Sequence, residues 1–176
     1  MRNQTWTGVV VLLLMLGAGP ALAQTCRPAS IPASTPDSQL QDNGDGTVTD
    51  LKTGLMWKQC AEGQSGSGCV DGTPIDYNIW QKALLRAQEV NSGGFAGFRD
   101  WRVPNIKELA SLTELQCSGP AINLTRFPNT PDRYFWSSSS RAGDAGYSLI
   151  VEFGLGQVSS YGVGELFSVR LVRSAP

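Results

Sequence analysis

Residues 134–171 of this 176-residue chain read YFWSSSSRAGDAGYSLIVEFGLGQVSSYGVGELFSVRL, a stretch in which apolar side chains repeatedly alternate with polar or small ones. A period of two is typical of β-strands, and the glycines of residues 154–157 supply a turn between two of them. The pattern therefore predicts a run of antiparallel strands. We place these strands at residues 135–138, along Tyr147, Leu149, Val151 and Phe153, at residues 158–161, and along Phe167, Val169 and Leu171.

A hairpin is predicted upstream, with strands at residues 47–50 and 55–58 joined by a turn at residues 51–54. The run DNGDG at residues 42–46 precedes it. Aligning Gly46 with the invariant glycine of an EF-hand loop puts Gln41 where the first aspartate ligand belongs, and no glutamate follows at the required distance. We therefore interpret this run as two Asx-Gly turns that open the hairpin rather than as a calcium site.

Two helices are predicted between the hairpin and the last strands. The first runs from Tyr77 to about Asn91, with Asp76 or Asn78 as its cap and Gly93-Gly94 as its end. The second runs from Ile106 to about Glu114, and Asn105 with Glu108 three residues later forms a capping box. This order of elements indicates an α+β fold with the helices segregated from the sheet. The apolar face of the first helix comprises Trp80, Ala83, Leu84, Ala87 and Val90.

The first 23 residues are typical of a cleavable signal peptide. Arg2 precedes an apolar run at residues 9–16, and Ala21-Leu22-Ala23 forms an A-x-A signal that predicts cleavage between Ala23 and Gln24. The run is too short to span a bilayer, which takes about 20 apolar residues. Lipid attachment to Cys26 is the alternative to simple cleavage. We therefore expect a periplasmic, surface or extracellular protein with no membrane span after cleavage.

The remaining chain fits one domain at residues 40–174, preceded by a Pro/Ser-rich tail at residues 24–39 that we interpret as extended. The whole sequence carries 14 Lys and Arg against 15 Asp and Glu, without a basic block. This balance gives no support to binding of nucleic acid or of an anionic membrane.

The chain has four cysteines, and an even number in an exported protein indicates two disulfides, although three connectivities are possible. Cys60 and Cys69 flank a Gly/Ser-rich loop, so we favour a local bridge between them. Cys26 would then pair with Cys117 by elimination. A zinc site is disfavoured because the chain contains no histidine and no C-x-x-C, and no cofactor is predicted.

Catalysis has few candidate groups in this sequence. Without histidine, neither a Ser-His-Asp nor a Cys-His arrangement can form, so residues 137–140, all serine, are interpreted as satisfying local backbone groups. A glycosidase could still use two carboxylates, but the spacing of the candidates selects no pair. Asp100 is expected to form an ion pair that positions its turn, and Glu152 to be solvated. The candidate carboxylates are Asp100, Asp144, Glu152 and Glu165.

Several motifs together resemble a family of exported bacterial domains named after the C-terminal domain of a collagen-like surface adhesin, the Lcl C-terminal domain. They are DNGDGTVTD at residues 42–50, TGLMW at 53–57, GFRDWRVP at 97–104 with KEL at 107–109, FWSS at 135–138 and VRLVR at 169–173. The resemblance implies a C-type lectin-like fold, with strands from both ends of the domain brought together and two helices flanking the sheet. For the adhesin itself, the resemblance also implies trimers and binding of sulfated polysaccharides. This chain lacks the collagen-like stalk of the adhesin and the surplus of positive charge that sulfate recognition needs.

These observations favour a non-catalytic, adhesin-like binding module whose partner is a glycan or an envelope or extracellular protein, with a homo-oligomer as a further expectation. The predicted contact surface lies in residues 134–161 and comprises Tyr134, Arg141, Asp144 and Tyr161, because exposed aromatic side chains combine a large apolar face with a polar group. The alternatives are a structural subunit or cap of an envelope or fimbrial assembly and, third, a carboxylate-based glycosidase.

Overall fold

The computed structural model describes residues 23–77 and 79–176. The predicted signal peptide up to Leu22 and the possible helix cap Asn78 lie outside the described residues. No helix among the described residues is long and apolar enough to cross a membrane. The strands are β1 (Thr25–Cys26), β2 (Leu40–Asp42), β3 (Thr47–Asp50), β4 (Leu55–Lys58), β5 (Gln64–Ser65), β6 (Asp71–Gly72), β7 (Cys117–Ser118), β8 (Tyr134–Arg141), β9 (Asp144–Glu152), β10 (Gln157–Gly162) and β11 (Val172–Ser174). The helices are α1 (Trp80–Gly93) and α2 (Ile106–Ala110), and a 3-10 turn spans Ser67–Cys69.

The strands form two main antiparallel sheets. One has the order β11-β4-β3-β2 and the other the order β10-β9-β8, while β1 with β7 and β5 with β6 form two small pairs. The C-terminal strand β11 pairs with β4 of the N-terminal hairpin, with Val172 opposite Trp57. The predicted α+β class with antiparallel strands is therefore confirmed, and strands from the two ends of the domain lie side by side.

The core lies on both faces of β8 and β9. Phe135 and Val151 belong to a buried cluster that also contains Leu109 of α2. Their neighbours Trp136 and Ile150 belong to a second buried cluster, which contains the apolar face of α1. Because successive side chains of a strand point to opposite faces, the two helices cover opposite faces of this sheet.

The predicted hairpin is confirmed, with Thr47 opposite Lys58 and Asp50 opposite Leu55. The connection between β2 and β3 contains the Asx turns expected there, since the Asp42 carboxylate accepts a hydrogen bond from the Gly44 amide and that of Asp45 accepts one from the Thr47 amide.

Helix α1 begins three residues later than predicted. Tyr77 forms a single bridge with Phe167 rather than a helical turn. Asp76 does not cap the helix, because its carboxylate accepts a hydrogen bond from Ser168 and forms an ion pair with Arg133. The residue before the helix, Ile79, makes no side-chain capping bond. Gly94 follows the helix with a φ of 79°, as the predicted end requires.

Helix α2 has the predicted capping box but ends at Ala110, four residues before the predicted end. The Asn105 side chain accepts a hydrogen bond from the Glu108 amide, and the Glu108 carboxylate accepts one from the Asn105 amide. The chain then turns, and the amide of Glu114 donates to the carbonyl of Ala121 instead of continuing the helix.

The last strands differ from the predicted pattern in two ways. Val151 is buried as predicted, but Tyr147 is exposed, and Ser148 and Ile150 on the opposite face are buried as well, because this sheet is covered on both sides. Phe167, Val169 and Leu171 are buried but do not form a strand, and β11 begins only at Val172.

The segment predicted as an extended tail is packed against the domain. Thr35 is buried, and its amide and hydroxyl both donate hydrogen bonds to the carboxylate of Glu114, at 2.9 Å each. Ser34 donates to the same carboxylate with its amide at 3.0 Å. Both disulfides have the favoured pairing, Cys60 with Cys69 and Cys26 with Cys117, and the second ties this segment to β7.

Candidate functional site

The four residues predicted as a contact surface occupy two separate places. Tyr134 and Tyr161 are half-buried and pack together, with ring centroids 5.2 Å apart, over the ring of Phe167. A hydrogen bond with Tyr161 raises the pKa of Tyr134 above its ordinary value. Arg141 and Asp144 lie at the other end of β8, at the tip of the β8–β9 hairpin, where both are exposed. The structure therefore does not bring these four residues into one site.

A depression lies on another part of the surface, beside the loop that the Cys60–Cys69 disulfide closes. Its cavity of about 490 Å³ is lined by residues 42, 44–46, 58–60, 64–67 and 95. We call it the disulfide-loop pocket. Its size falls in the range of pockets that hold small molecules, about 300–1,000 Å³.

The wall formed by residues 64–67 is held by more than the disulfide. The side-chain amide of Gln64 donates to the carbonyl of Asn129 at 3.0 Å and to that of Cys69 at 3.3 Å. The side chain of Asn129 in turn donates to the Gly68 carbonyl at 2.6 Å. These bonds give a fixed shape to a Gly/Ser-rich segment that would otherwise be flexible.

Lys58 lines the pocket, but its charge is already paired. The Lys58 Nζ lies 2.6 Å from Glu62 Oε1 and 4.3 Å from the centroid of the Phe95 ring. The Glu62 side chain is fully buried, and its other oxygen lies 2.8 Å from Nε of Arg86. The two ion pairs compensate the cost of burying the Glu62 carboxylate in the interior.

The guanidinium of Arg170 holds the backbone behind the pocket. Its Nη1 donates to the carbonyls of Lys58, at 2.9 Å, and of Gln59, and its Nη2 donates to Thr130 Oγ1 at 2.7 Å. Burial lowers the pKa of Arg170 to about 9, while the charge of Glu62 acts in the opposite direction. Arg170 is therefore protonated at neutral pH and fixes the position of two lining residues.

Asp42 and Asp45 form the acidic edge of the pocket. Asp42 Oδ2 lies 3.4 Å from the side-chain amide of Gln59, and Asp45 Oδ1 accepts a hydrogen bond from the Thr47 hydroxyl at 2.6 Å. Both residues are exposed. Within residues 23–77 and 79–176 neither carboxylate forms an ion pair with a lysine or arginine. Both therefore keep hydrogen-bonding capacity and negative charge for a ligand.

The carboxylates considered for catalysis lie in separate environments. Asp100 forms an ion pair with Arg173 at 2.7 Å, as a residue that positions its turn should, and its hydrogen bonds from Arg173 lower its pKa. Glu152 accepts a hydrogen bond from the Leu155 amide at 3.0 Å. Asp144 accepts one from the Gly146 amide at 3.0 Å, and Glu165 is exposed. None of the four lines the disulfide-loop pocket.

The serine run satisfies backbone groups as predicted, but only the bond from the Ser139 amide to Ser137 Oγ is local, and the others reach distant residues. Ser137 Oγ donates to the carbonyl of Leu149 at 2.6 Å, and Ser139 Oγ accepts from the amide of Ile106 at the start of α2, at 3.0 Å. In the described part of the chain, no group of three or more His, Cys, Asp or Glu side chains is placed to hold a metal ion.

The pocket is not apparent from the sequence, although two of its walls lie in segments that the sequence marks. Residues 42–46 are predicted as turns, and the segment between Cys60 and Cys69 is predicted as a Gly/Ser-rich loop. Their meeting depends on the pairing of β2 with β3 and of β3 with β4, and Phe95 arrives from the end of α1. No local pattern marks Phe95 or Gln59 as a lining residue.

Comparison with known proteins identifies a family. The family model of the Lcl C-terminal domain matches residues 46–173, which include most of the pocket lining and both main sheets apart from β2 and Ser174. No curated protein matches the chain.

Proposed function

The chain belongs to the Lcl C-terminal domain family, and on that premise we propose that it is an adhesin-related, non-catalytic domain that binds a glycan outside the cytoplasm. The disulfide-loop pocket is the observation that carries this proposal. It combines amide and carboxylate groups, which exchange hydrogen bonds with hydroxyl groups, with one aromatic ring, and it has the size of a small-molecule site.

The fold and the disulfides support the proposal. We assign the domain to the C-type lectin-like type, because β11 pairs with β4 and thus brings together strands from the two ends of the domain. Both disulfides are consistent with an exported protein, since such bonds persist in oxidising compartments. The absence of catalysis is part of the proposal, and it is supported by the two hydrogen bonds from Arg173 that engage the Asp100 carboxylate.

Glycan binding by the oxidised protein tests the proposal. A glycan array should identify an oligosaccharide, and calorimetry should show that Gln59→Ala weakens its binding at least about tenfold, because the pocket loses a hydrogen-bonding group. Arg141→Ala, at the exposed tip of the β8–β9 hairpin, should leave affinity unchanged. If Arg141→Ala lost binding and Gln59→Ala did not, the contact surface would lie on residues 134–161 instead. Turnover of the oligosaccharide would contradict a non-catalytic role.

One observation favours a structural subunit of an envelope assembly as the second candidate. β10 is an edge strand, and two apolar side chains, Leu155 in the turn before it and Val158 near its start, are 65% and 53% exposed. Edge strands with exposed apolar groups are common sites of association between chains. Light scattering over a range of concentrations, with Val158→Lys as the variant, would separate an assembly component from a free monomer.

A further inference from the structure

The charge that the disulfide-loop pocket offers to a ligand is negative. Asp42 and Asp45 are exposed at its edge, whereas Lys58 is the one cation among the described lining residues. The Lys58 side chain is 12% exposed, and its ammonium group lies 2.6 Å from the Glu62 carboxylate, which largely neutralises its charge. Arg170 is fully buried behind the wall and donates to backbone carbonyls.

This arrangement discriminates between kinds of sugar. Carboxylate oxygens accept hydrogen bonds from sugar hydroxyls, and bonds to an ionised acceptor are about twice as strong as neutral ones. The Gln59 side chain adds an acceptor and donors beside Asp42. A sulfate or carboxylate group would instead approach the negative charges of Asp42 and Asp45, whereas the Lys58 ammonium is engaged by Glu62 and the Arg170 guanidinium lies behind the wall. Repulsion by the two exposed aspartates therefore opposes its binding.

Resting on the proposed function, we propose that the pocket takes an uncharged, hydroxyl-rich sugar unit and that Asp42 and Asp45 reject sulfated and carboxylated glycans. The two aspartates are then specificity-determining residues, which exclude the wrong ligand by repulsion as well as bind the right one. This ligand class is the opposite of the sulfated polysaccharides that the family resemblance implies.

The test pairs each neutral glycan with its own sulfated form. Dextran, laminarin and cellulose oligomers and their sulfated derivatives are immobilised, and the oxidised native protein is applied at low and at physiological salt. At least one neutral glycan should bind, with its sulfated form about tenfold weaker or more, and the difference should narrow as salt screens the repulsion.

Variants that remove the charges of Asp42 and Asp45 test whether these two residues cause the preference for neutral over sulfated glycans. Asp42→Asn with Asp45→Asn keeps a side-chain oxygen at each turn and should raise binding of the sulfated form on the order of fivefold or more, while binding of the neutral form falls. Asp42→Asn alone should have part of this effect. Because the single variant keeps the Asp45–Thr47 contact, it tests the inference even where loss of that contact harms folding of the double variant. Asp144→Asn is the matched control, because Asp144 also accepts an amide hydrogen bond two residues ahead, from Gly146.

The outcomes separate the inference from the proposed function. Equal or tighter binding of the sulfated forms by the native protein would overturn the inference and leave glycan binding intact. The inference would also be overturned, with glycan binding intact, if the Asp42→Asn and Asp45→Asn double variant preferred neutral over sulfated glycans as strongly as the native protein does. Failure of every glycan in the panel to bind, in native protein and variants alike, would overturn the proposed function together with the inference.

Discussion

Arg170 is a fully buried cation that forms no ion pair within residues 23–77 and 79–176. Its partners are the carbonyls of Lys58 and Gln59, the hydroxyl of Thr130 and the ring of Phe127, whose centroid lies 4.9 Å from Cζ. A planar guanidinium can serve all these groups at once, whereas an ammonium group cannot. The residue thus links β4, the segment before β8 and the chain just before β11.

We predict that Arg170→Met lowers the free energy of unfolding by about 3 kcal/mol, because each buried acceptor left without a donor costs about 1–3 kcal/mol. Arg170→Lys should also be destabilised, since a lysine reaches fewer of the three acceptors. Urea unfolding at pH 7 measures both. A methionine variant as stable as the native chain would show that desolvation of the guanidinium offsets its hydrogen bonds.

Glu114 anchors the N-terminal segment through one carboxylate. It accepts hydrogen bonds from the amides of Ser34, Thr35 and Gln116 and from the hydroxyls of Ser34 and Thr35. Burial acts to raise the pKa of Glu114, but the backbone hydrogen bonds from Ser34, Gln116 and Thr35 outweigh it and hold the pKa below its ordinary value of 4.5. The ionised form is therefore the one that stabilises the fold.

The sign of the pH dependence follows from this depressed pKa. The contribution of Glu114 is fully present above pH 4.5 and is lost as the pH falls through the lower pKa of the folded state. Glu114→Gln should therefore lower the free energy of unfolding at pH 7 by about 1–3 kcal/mol and should flatten its fall on acidification. Urea unfolding from pH 7 to pH 2 measures this, with the exposed Glu165→Gln as control. An unchanged acid profile in Glu114→Gln would contradict the assignment.

At the scale of the elements, the parts of the fold that depend on local contacts could be predicted from the sequence. The capping box of Asn105 and Glu108 joins residues three apart, and the hairpin of β3 and β4 is closed by its own turn. The helix boundaries that were wrong are set by distant residues. The Asp76 carboxylate accepts hydrogen bonds from Ser168 and Arg133 instead of capping α1. Helix α2 ends before Glu114, whose carboxylate accepts a hydrogen bond from the amide of Ser34.

Strand β8 illustrates the same limit. The predicted strand ended at Ser138, whereas β8 runs to Arg141 through an irregular register between Trp136 and Ser140. Within this irregular stretch the Ser138 amide donates to the Pro104 carbonyl, and Ser139 Oγ accepts from the amide of Ile106 at the start of α2. A bulge of this kind is determined by the partner element, which a period-two pattern cannot show.

The two disulfides are expected to have different effects. In the chain-entropy model, a bridge across 9 residues contributes about 2.5 kcal/mol and one across 91 residues about 4.5 kcal/mol. Cys26→Ser with Cys117→Ser should therefore destabilise the domain more than Cys60→Ser with Cys69→Ser, as measured by urea unfolding. Only the Cys60/Cys69 pair of substitutions should abolish glycan binding in protein that is still folded, because that bridge closes the wall of the pocket. Equal binding by both double variants would contradict this role of the loop.

At the scale of the whole molecule, the candidate site could not be predicted because it joins segments that are distant along the chain. Asp42, Cys60 and Phe95 meet only once β2, β3 and β4 have paired and α1 has packed on the sheet. The sequence instead predicted a contact surface within residues 134–161. In the structure its residues lie in two places, the aromatic cluster at Tyr134 and the exposed hairpin tip at Arg141. The class of fold, by contrast, follows from the order of the periodic segments.

The predicted export has two alternative forms, simple cleavage and lipid attachment to Cys26, and the structure bears on the choice between them. Lipid attachment to Cys26 would need its thiol, which the disulfide to Cys117 already occupies. The side chain of Gln24, the first residue after the predicted cut, donates to the carbonyls of Pro120 at 2.6 Å and Ile122 at 2.7 Å, whereas Ala23 is exposed. Simple cleavage between Ala23 and Gln24 is thus compatible with both disulfides, and lipidation is not.

We therefore predict that protein exported from this 176-residue chain begins at Gln24, carries no lipid and has all four cysteines oxidised. N-terminal sequencing and intact mass under non-reducing conditions measure these features together. Ala23→Leu should block processing because the cleavage signal requires a small residue there, whereas Ala29→Leu, beyond the cut and exposed, should be processed normally. A lipid mass on Cys26 with a free thiol on Cys117 would contradict the prediction, because the bridge that ties the N-terminal segment to β7 would then be absent from the exported protein.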